Sequence, residues 1–146
     1  MHIRNPYWQY CIGTLAMIFI SYLSAGITGI LVYTLVCMYA QLQMLMTDYV
    51  QHYGLERAQL DNGKYEPVSI RHSWNAPHWF SAFMTMNAPR HSDHHTSPSK
   101  TYTELLGHKS NAPQLPYSLP VMATIAIWPK HWRKLMNPYV KQWRNT

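Results

Sequence analysis

The chain has 146 residues, 47% of them hydrophobic and 12% charged, with a formal net charge of +6 and two cysteines. That length gives room for one domain, and two cysteines, Cys11 and Cys37, set 26 residues apart in apolar sequence, exclude a disulfide-stapled framework and read as small packing residues. Charge is unevenly placed: from Gln9 to Thr47 there is no Lys, Arg, Asp or Glu, whereas 11 of the 12 basic residues and all six acidic ones lie from Asp48 onward.

A membrane-crossing helix needs about 20 mainly apolar residues, so the uncharged run predicts two helices, roughly Tyr7–Leu23 and Ile27–Asp48, joined by a turn at Ser24-Ala25-Gly26. Tyr7, Trp8 and Tyr10 suit an aromatic belt at one interface, and Tyr49 and Tyr53 suit the same interface on the return. Both ends of the hairpin then emerge on one side with Arg4 and the basic remainder of the chain, and the excess of Lys and Arg marks that side as cytoplasmic. A buried hairpin in a soluble protein is the weaker reading, because so long an uncharged run is hard to cover in so small a domain. The run is also too long for a cleaved signal peptide. Gly26 and Gly29 lack the four-residue spacing of close-packed membrane helices.

Beyond Asp48, three glycines and nine of the ten prolines divide the chain into short helices and loops. Leu55–Leu60 is expected to extend the second helix, Asp61-Asn62-Gly63-Lys64 to form a turn, and Tyr65–Ser69 to be a short extended segment. Pro89 and Pro98 bracket Arg90–Ser97, room for about two helical turns. In such a helix His91, His94 and His95 share a face and Ser92 and Asp93 point elsewhere. His52 stands where the second helix ends, and its spacing of 39 residues from His91 allows the intervening chain to fold back over that end. The fold class expected is an all-α membrane protein: a transmembrane hairpin over residues 1–48, then a cytoplasmic or interfacial histidine-rich region over 49–146.

Clustered imidazoles bind transition metals without a thiolate or carboxylate. Structural zinc sites usually include cysteines, and no general-base glutamate stands near enough for a hydrolytic zinc site, so residue chemistry favours iron modestly and leaves zinc open. Toward the C-terminus, Leu115–Pro129 is apolar but interrupted by Pro116 and Pro120, which fits an interfacial segment better than a third crossing. Trp128, Trp132 and Trp143 agree with that placement, and the basic, aromatic tail from Lys130 to Arg144 suits anionic lipid headgroups better than nucleic acid. Arg133 and Lys134 also offer a basic surface for an acidic protein partner.

Five blocks carry a resemblance: Asp48-Tyr49-Val50-Gln51-His52-Tyr53-Gly54-Leu55, Gly63-Lys64-Tyr65-Glu66-Pro67-Val68, His72-Ser73-Trp74-Asn75-Ala76-Pro77-His78, Arg90-His91-Ser92-Asp93-His94-His95 and Pro113-Gln114-Leu115-Pro116. In this order, across roughly Gln41 to Lys141, they are similar to the C-terminal part of the membrane-bound alkane 1-monooxygenases and xylene monooxygenase hydroxylases, within the fatty-acid desaturase-like superfamily. The resemblance implies a multi-pass protein of the bacterial inner membrane. It also implies a non-haem di-iron centre, rubredoxin-type electrons, dioxygen, and a hydrocarbon substrate hydroxylated at a terminal or benzylic C–H bond. It maps the iron ligands onto His52, His91, His94 and His95, with Asp93, His72 and His78 as residues that orient ligands or pack behind them. The two earlier histidine boxes of that family, His-Glu-x-x-His and Glu-His-x-x-Gly-His-His, do not occur in this chain, so the remaining ligands are expected from upstream segments. Two other functions stay open beside it: a non-catalytic membrane metal-binding fragment, and a fatty-acyl desaturase or hydroxylase.

Overall fold

The structure, a computed structural model, describes residues 5–76, 78–107 and 111–144. Arg4, which marks the cytoplasmic side in the sequence reading, and Pro77 of the His-Ser-Trp-Asn block lie outside the described residues. The chain divides into two compact units, residues 1–44 and 45–146.

The first unit belongs to helix α1, Pro6–His52, which is long and apolar enough to cross a membrane. At 47 residues a straight helix would measure about 70 Å, more than twice the ~30 Å hydrocarbon layer. It is not straight: Ala25 (φ −150°, ψ 24°) and Gly26 (φ 58°, ψ −142°) leave helical geometry at the predicted turn. Gly26 supplies the positive φ that a side chain would resist. A Cβ on Gly29 would run into the backbone carbonyl of Ser21, so the backbones on the two sides of the break lie close together. Gly29 therefore has a packing role that its sequence spacing does not reveal.

The second unit starts with the last turns of α1 and adds α2 (Trp79–Met84), α3 (His91–Thr96), α4 (Leu119–Ala126) and α5 (Pro129–Arg144). Its core joins Val50, Trp74, Ala76, Leu115, Leu119, Met122, Ala126, Trp132, Met136 and Val140. Trp132, Met136 and Val140 recur every four residues and so form one stripe of α5, while its cations occupy the remaining faces. Pro129 opens α5 at a position where a missing N–H costs nothing. Helix α4 has eight residues, too short for a crossing, and buries Leu119, Met122 and Ala126.

The expected helical extension over Leu55–Leu60 does not form. Helix α1 ends at His52 because Gly54 adopts φ +70°, and Leu55 N–H turns back to the carbonyl of His52 at 3.2 Å. The chain then makes the predicted turn: Gly63 takes φ +76°, and Leu60 and Lys64 bond across it at 2.8 Å. The extended segment predicted over Tyr65–Ser69 contracts to one antiparallel bridge, Gln59 with Tyr65.

Gly54 is pressed against α5, where a Cβ would lie 2.7 Å from Val140 Cγ2, whereas a Cβ on Gly63 meets nothing within 4 Å. Gly63→Ala is expected to lose about 1 kcal/mol for its backbone conformation alone, and Gly54→Ala a further 1–3 kcal/mol for overpacking. Denaturant titration of the two variants in detergent micelles checks this; equal losses would show that the Val140 contact carries no energy.

Candidate metal centre

Two elements bring the imidazoles together, and a buried polar network holds those elements. At the end of α1, Val50 is fully buried in the core and Gln51 is 1% exposed. Gln51 donates its side-chain N–H to the carbonyl of Ala88 (2.9 Å), just ahead of α3, and accepts the backbone N–H of Trp74 on its own carbonyl (2.7 Å). Trp74 Nε1 donates to the carbonyl of Tyr53 (2.8 Å), and Tyr53 donates its hydroxyl to Asn137 Oδ1 (2.8 Å). Arg144 donates to the carbonyl of Gly54 at 2.9 and 3.1 Å. The exit of α1 is thus held from three directions.

Helix α3 begins at His91 without a side-chain cap from Arg90; Asn75 caps it from outside. The Asn75 side-chain carbonyl accepts the Ser92 N–H (3.0 Å), and its amide donates to Ser92 Oγ (2.9 Å). Ser73 Oγ also reaches Ser92 Oγ (3.2 Å), whose hydroxyl has the carbonyls of Ile70 and Ser73 at 3.0 and 2.9 Å. Asn75 is fixed in turn by backbone bonds to Pro113 and Leu115 (2.9 and 2.7 Å). The motif blocks His72–His78, Arg90–His95 and Pro113–Pro116 therefore build one scaffold.

On it, the Nε2 atoms of His52, His91 and His95 converge: His52 to His91 3.1 Å, His52 to His95 3.1 Å, His91 to His95 2.9 Å. His52 Nδ1 lies 3.1 Å from the carbonyl of His72, which can only accept, so Nδ1 carries the proton and Nε2 presents its lone pair to the cluster. Three ring nitrogens so close cannot all be satisfied by N–H···N bonds, because a nitrogen that carries a proton has no lone pair left to accept. A cation satisfies all three.

At 2.9 to 3.1 Å from one another the three nitrogens are close enough to act as ligands of one metal ion. Burial and crowding hold His91 and His95 toward the neutral form. Burial, then His95, His52 and His94, push the His91 imidazole down to about 3 from the ordinary 6.5, and burial with His52 and His94 lowers His95.

His94 stands beside the triple, its ring centroid 6.1 Å from His91 and 5.7 Å from His95, without joining the converging nitrogens. Ser92 and Asp93 lie on the buried side of α3, as their helical positions require. Asp93 accepts both carboxylate bonds from Lys100 (3.0 Å each) and the N–H of Leu106 (2.8 Å), tying loop 100–106 to the back of α3. Arg90 adds a bond to the carbonyl of Leu105. His72 serves the site through its backbone carbonyl, while its ring contacts Glu66 (3.0 Å) and Ser69 (2.9 Å). His78 is exposed, and its carbonyl accepts from Ala82 and Ser81 at the start of α2. Asp48 is outside the predicted site residues, yet its carboxylate lies 3.6 Å from His52 Nε2 and opposes the lowering at His95. Its place four residues before His52, on the same helix face, is the signal that identifies it.

The profile of the fatty acid desaturase family matches residues 1–134, and the chain belongs to that family. It is 35% identical to alkane 1-monooxygenase 2 of Pseudomonas aeruginosa over 142 residues, which are 97% of this chain and 37% of that protein. It is 40% identical to alkane 1-monooxygenase 1 of Alcanivorax borkumensis over 101 residues, 69% of this chain and 25% of the relative. To alkane 1-monooxygenase of Pseudomonas putida it is 36% identical over 103 residues, 70% and 25% of the two chains. The chain thus spans between a quarter and somewhat over a third of the length of these relatives.

A histidine whose pKa is depressed by folding is protonated first in the unfolded chain. Below about pH 6.5 the unfolded state gains protons that folded His91 refuses until about 3, so stability falls with pH across that window. In chelator, the metal-free protein should lose about 2 kcal/mol more between pH 6.5 and 5 than its His91→Gln variant, measured by thermal melts. Parallel curves would contradict the buried neutral imidazole.

Proposed function

We propose that this chain supplies part of the iron site of a membrane-bound monooxygenase that hydroxylates alkanes or alkyl-aromatic hydrocarbons. The observation that carries the reading is the convergence of the Nε2 atoms of His52, His91 and His95. The names of the relatives supply the reaction class. Bound iron would supply the dioxygen chemistry that breaks an unactivated C–H bond, which no side chain in this unit can do. The chain's own groups hold and orient it. The His72 carbonyl fixes the tautomer of His52, the Asn75–Ser92 pair fixes the start of α3, and the low pKa of His91 keeps its lone pair free. Asp48 lends negative charge at the edge of a cluster of otherwise neutral ligands.

Under this reading the centre is dinuclear. His94, adjacent to the triple but turned out of it, serves the second iron, and further ligands come from beyond the residues described. The break at Ala25–Gly26 returns α1 as a hairpin, so His52 follows the apolar run at the cytoplasmic face of a bacterial inner membrane, where a hydrocarbon arrives through lipid. Helix α4 and the basic turns of α5 rest at that interface. An acidic rubredoxin-type donor docks at Lys130, Arg133 and Lys134. The desaturase profile supports the second reading, a fatty-acyl substrate. Product analysis with an alkane against an acyl lipid separates the two.

Titration of the purified chain with Fe(II) or Co(II) under argon tests the site without turnover. His52→Ala, His91→Ala and His95→Ala are each expected to weaken binding at least about tenfold, and His94→Ala to leave the first ion nearly unaffected. Wild-type affinity in all three variants would refute the ligand set. In an assembled hydroxylase, Arg133→Glu with Lys134→Glu should slow reduction by the donor and flatten its salt dependence; an unchanged rate would remove the docking surface from α5.

A further inference from the structure

Among the described residues of the second unit, exposed apolar side chains gather on α2 and the turn after it. Trp79 is 79% exposed and Phe83 78%, with Phe80, Met84 and Met86 all above 60%. Between Arg71 and Arg90 the sequence carries no Lys, Arg, Asp or Glu. Soluble surfaces rarely gather apolar side chains this way without a charged residue among them.

Its polar groups are turned inward and bonded within the protein. Ser81 Oγ donates to the carbonyl of His78 (3.0 Å), Thr85 Oγ1 to that of Ser81 (2.6 Å), and Asn87 Nδ2 to that of Tyr102 (2.8 Å). The backbone closes on itself as well: Ala82 to His78, Thr85 to Ser81, Asn87 to Ala82, Ala88 to Thr85 and Arg90 to Asn87, all between 2.7 and 3.0 Å. Met86 and Asn87 take positive φ to complete the turn, which leaves Met86 outward and directs the Asn87 amide back to Tyr102. Only Ser81 and Ala82 of α2 face the core. Lipid suits this combination of an uncharged surface with Trp and Phe at the contact.

We infer that α2 with the turn through Asn87 is a second membrane contact of the chain, an aromatic wedge that enters the bilayer interface independently of α1. The occupant of this face is lipid. A chain that already carries a helix long enough to cross a membrane is always within reach of one. The inference goes beyond the metal reading and does not depend on it.

The test uses the whole chain in phosphatidylcholine–phosphatidylglycerol vesicles with Cys11→Ser and Cys37→Ser. A nitroxide is placed at Phe83→Cys or Trp79→Cys and, as a water reference, at Asp61→Cys in the turn between Gln59 and Tyr65. Oxygen concentrates in lipid and chromium oxalate stays in water. At positions 79 and 83, collision with chromium oxalate should be several-fold lower than at position 61 and collision with oxygen several-fold higher. Chromium oxalate reaching all three positions equally would put the face in water and overturn the proposal. Exclusion of both reagents at 79 and 83 would mean that a second copy or another polypeptide covers it, and would overturn it equally. Because both side chains are largely exposed, neither replacement removes core packing.

Discussion

The site depends on the exchange of two hydrogen bonds between Asn75 and Ser92, both buried, in which one side chain caps a helix that it does not belong to. Ser92 lies between His91 and the later histidines, so whatever fixes Ser92 fixes the direction of the imidazoles on either side. A six-residue helix has too few internal bonds to be stable alone; Asn75 accepts a first-turn N–H of α3, while Ser73 and the carbonyl of Ile70 anchor the Ser92 hydroxyl. Such a network is worth little net if complete, about 1 kcal/mol per bond, but leaves buried groups costing ~1–3 kcal/mol each if broken. That asymmetry makes the arrangement specific.

Charge is distributed to the same end. The three Nε2 atoms lie within 3.1 Å of one another, and the carboxylate of Asp93, only one residue from His94, is buried close by in sequence. Lys100 and the Leu106 N–H take up that carboxylate, so its charge is spent on holding the 100–106 loop. Asp48 differs: its side chain is 70% exposed, and its field reaches the cluster from the solvent side. One aspartate is structural, the other belongs to the site, and burial separates them.

Much of this was legible in the residues. The break at Ala25–Gly26 and the turn at Asn62–Gly63 follow from glycine chemistry, and α3 follows from its bracketing prolines and its i, i+3, i+4 histidines. The end of α1 was not legible, because Leu55–Leu60 is good helical sequence, and neither the positive φ of Gly54 nor the Val140 side chain pressed against it shows in the local sequence. Helix α5 was hidden by Pro138 and by a high cation content that suggested lipid binding, although Trp132, Met136 and Val140 carried its period. His94 illustrates the limit of spacing arguments. In six residues, positions i and i+4 overlie more closely than i and i+3, and His91 and His95 meet while His94 falls to the side.

Gln51 links the end of α1 to the chain before α3. It immediately precedes His52 and is 1% exposed, so an ionised side chain there would have to be buried; the neutral amide instead donates to the carbonyl of Ala88. Ala88 lies between α2, whose outer face is apolar and uncharged, and α3, which carries His91. Phe83 and His91 are only eight residues apart, and the chain between them is pinned to the end of α1 by Gln51 and to Ala76 through Pro89. An apolar surface and the converging imidazole nitrogens are therefore joined through one short, hydrogen-bonded connection.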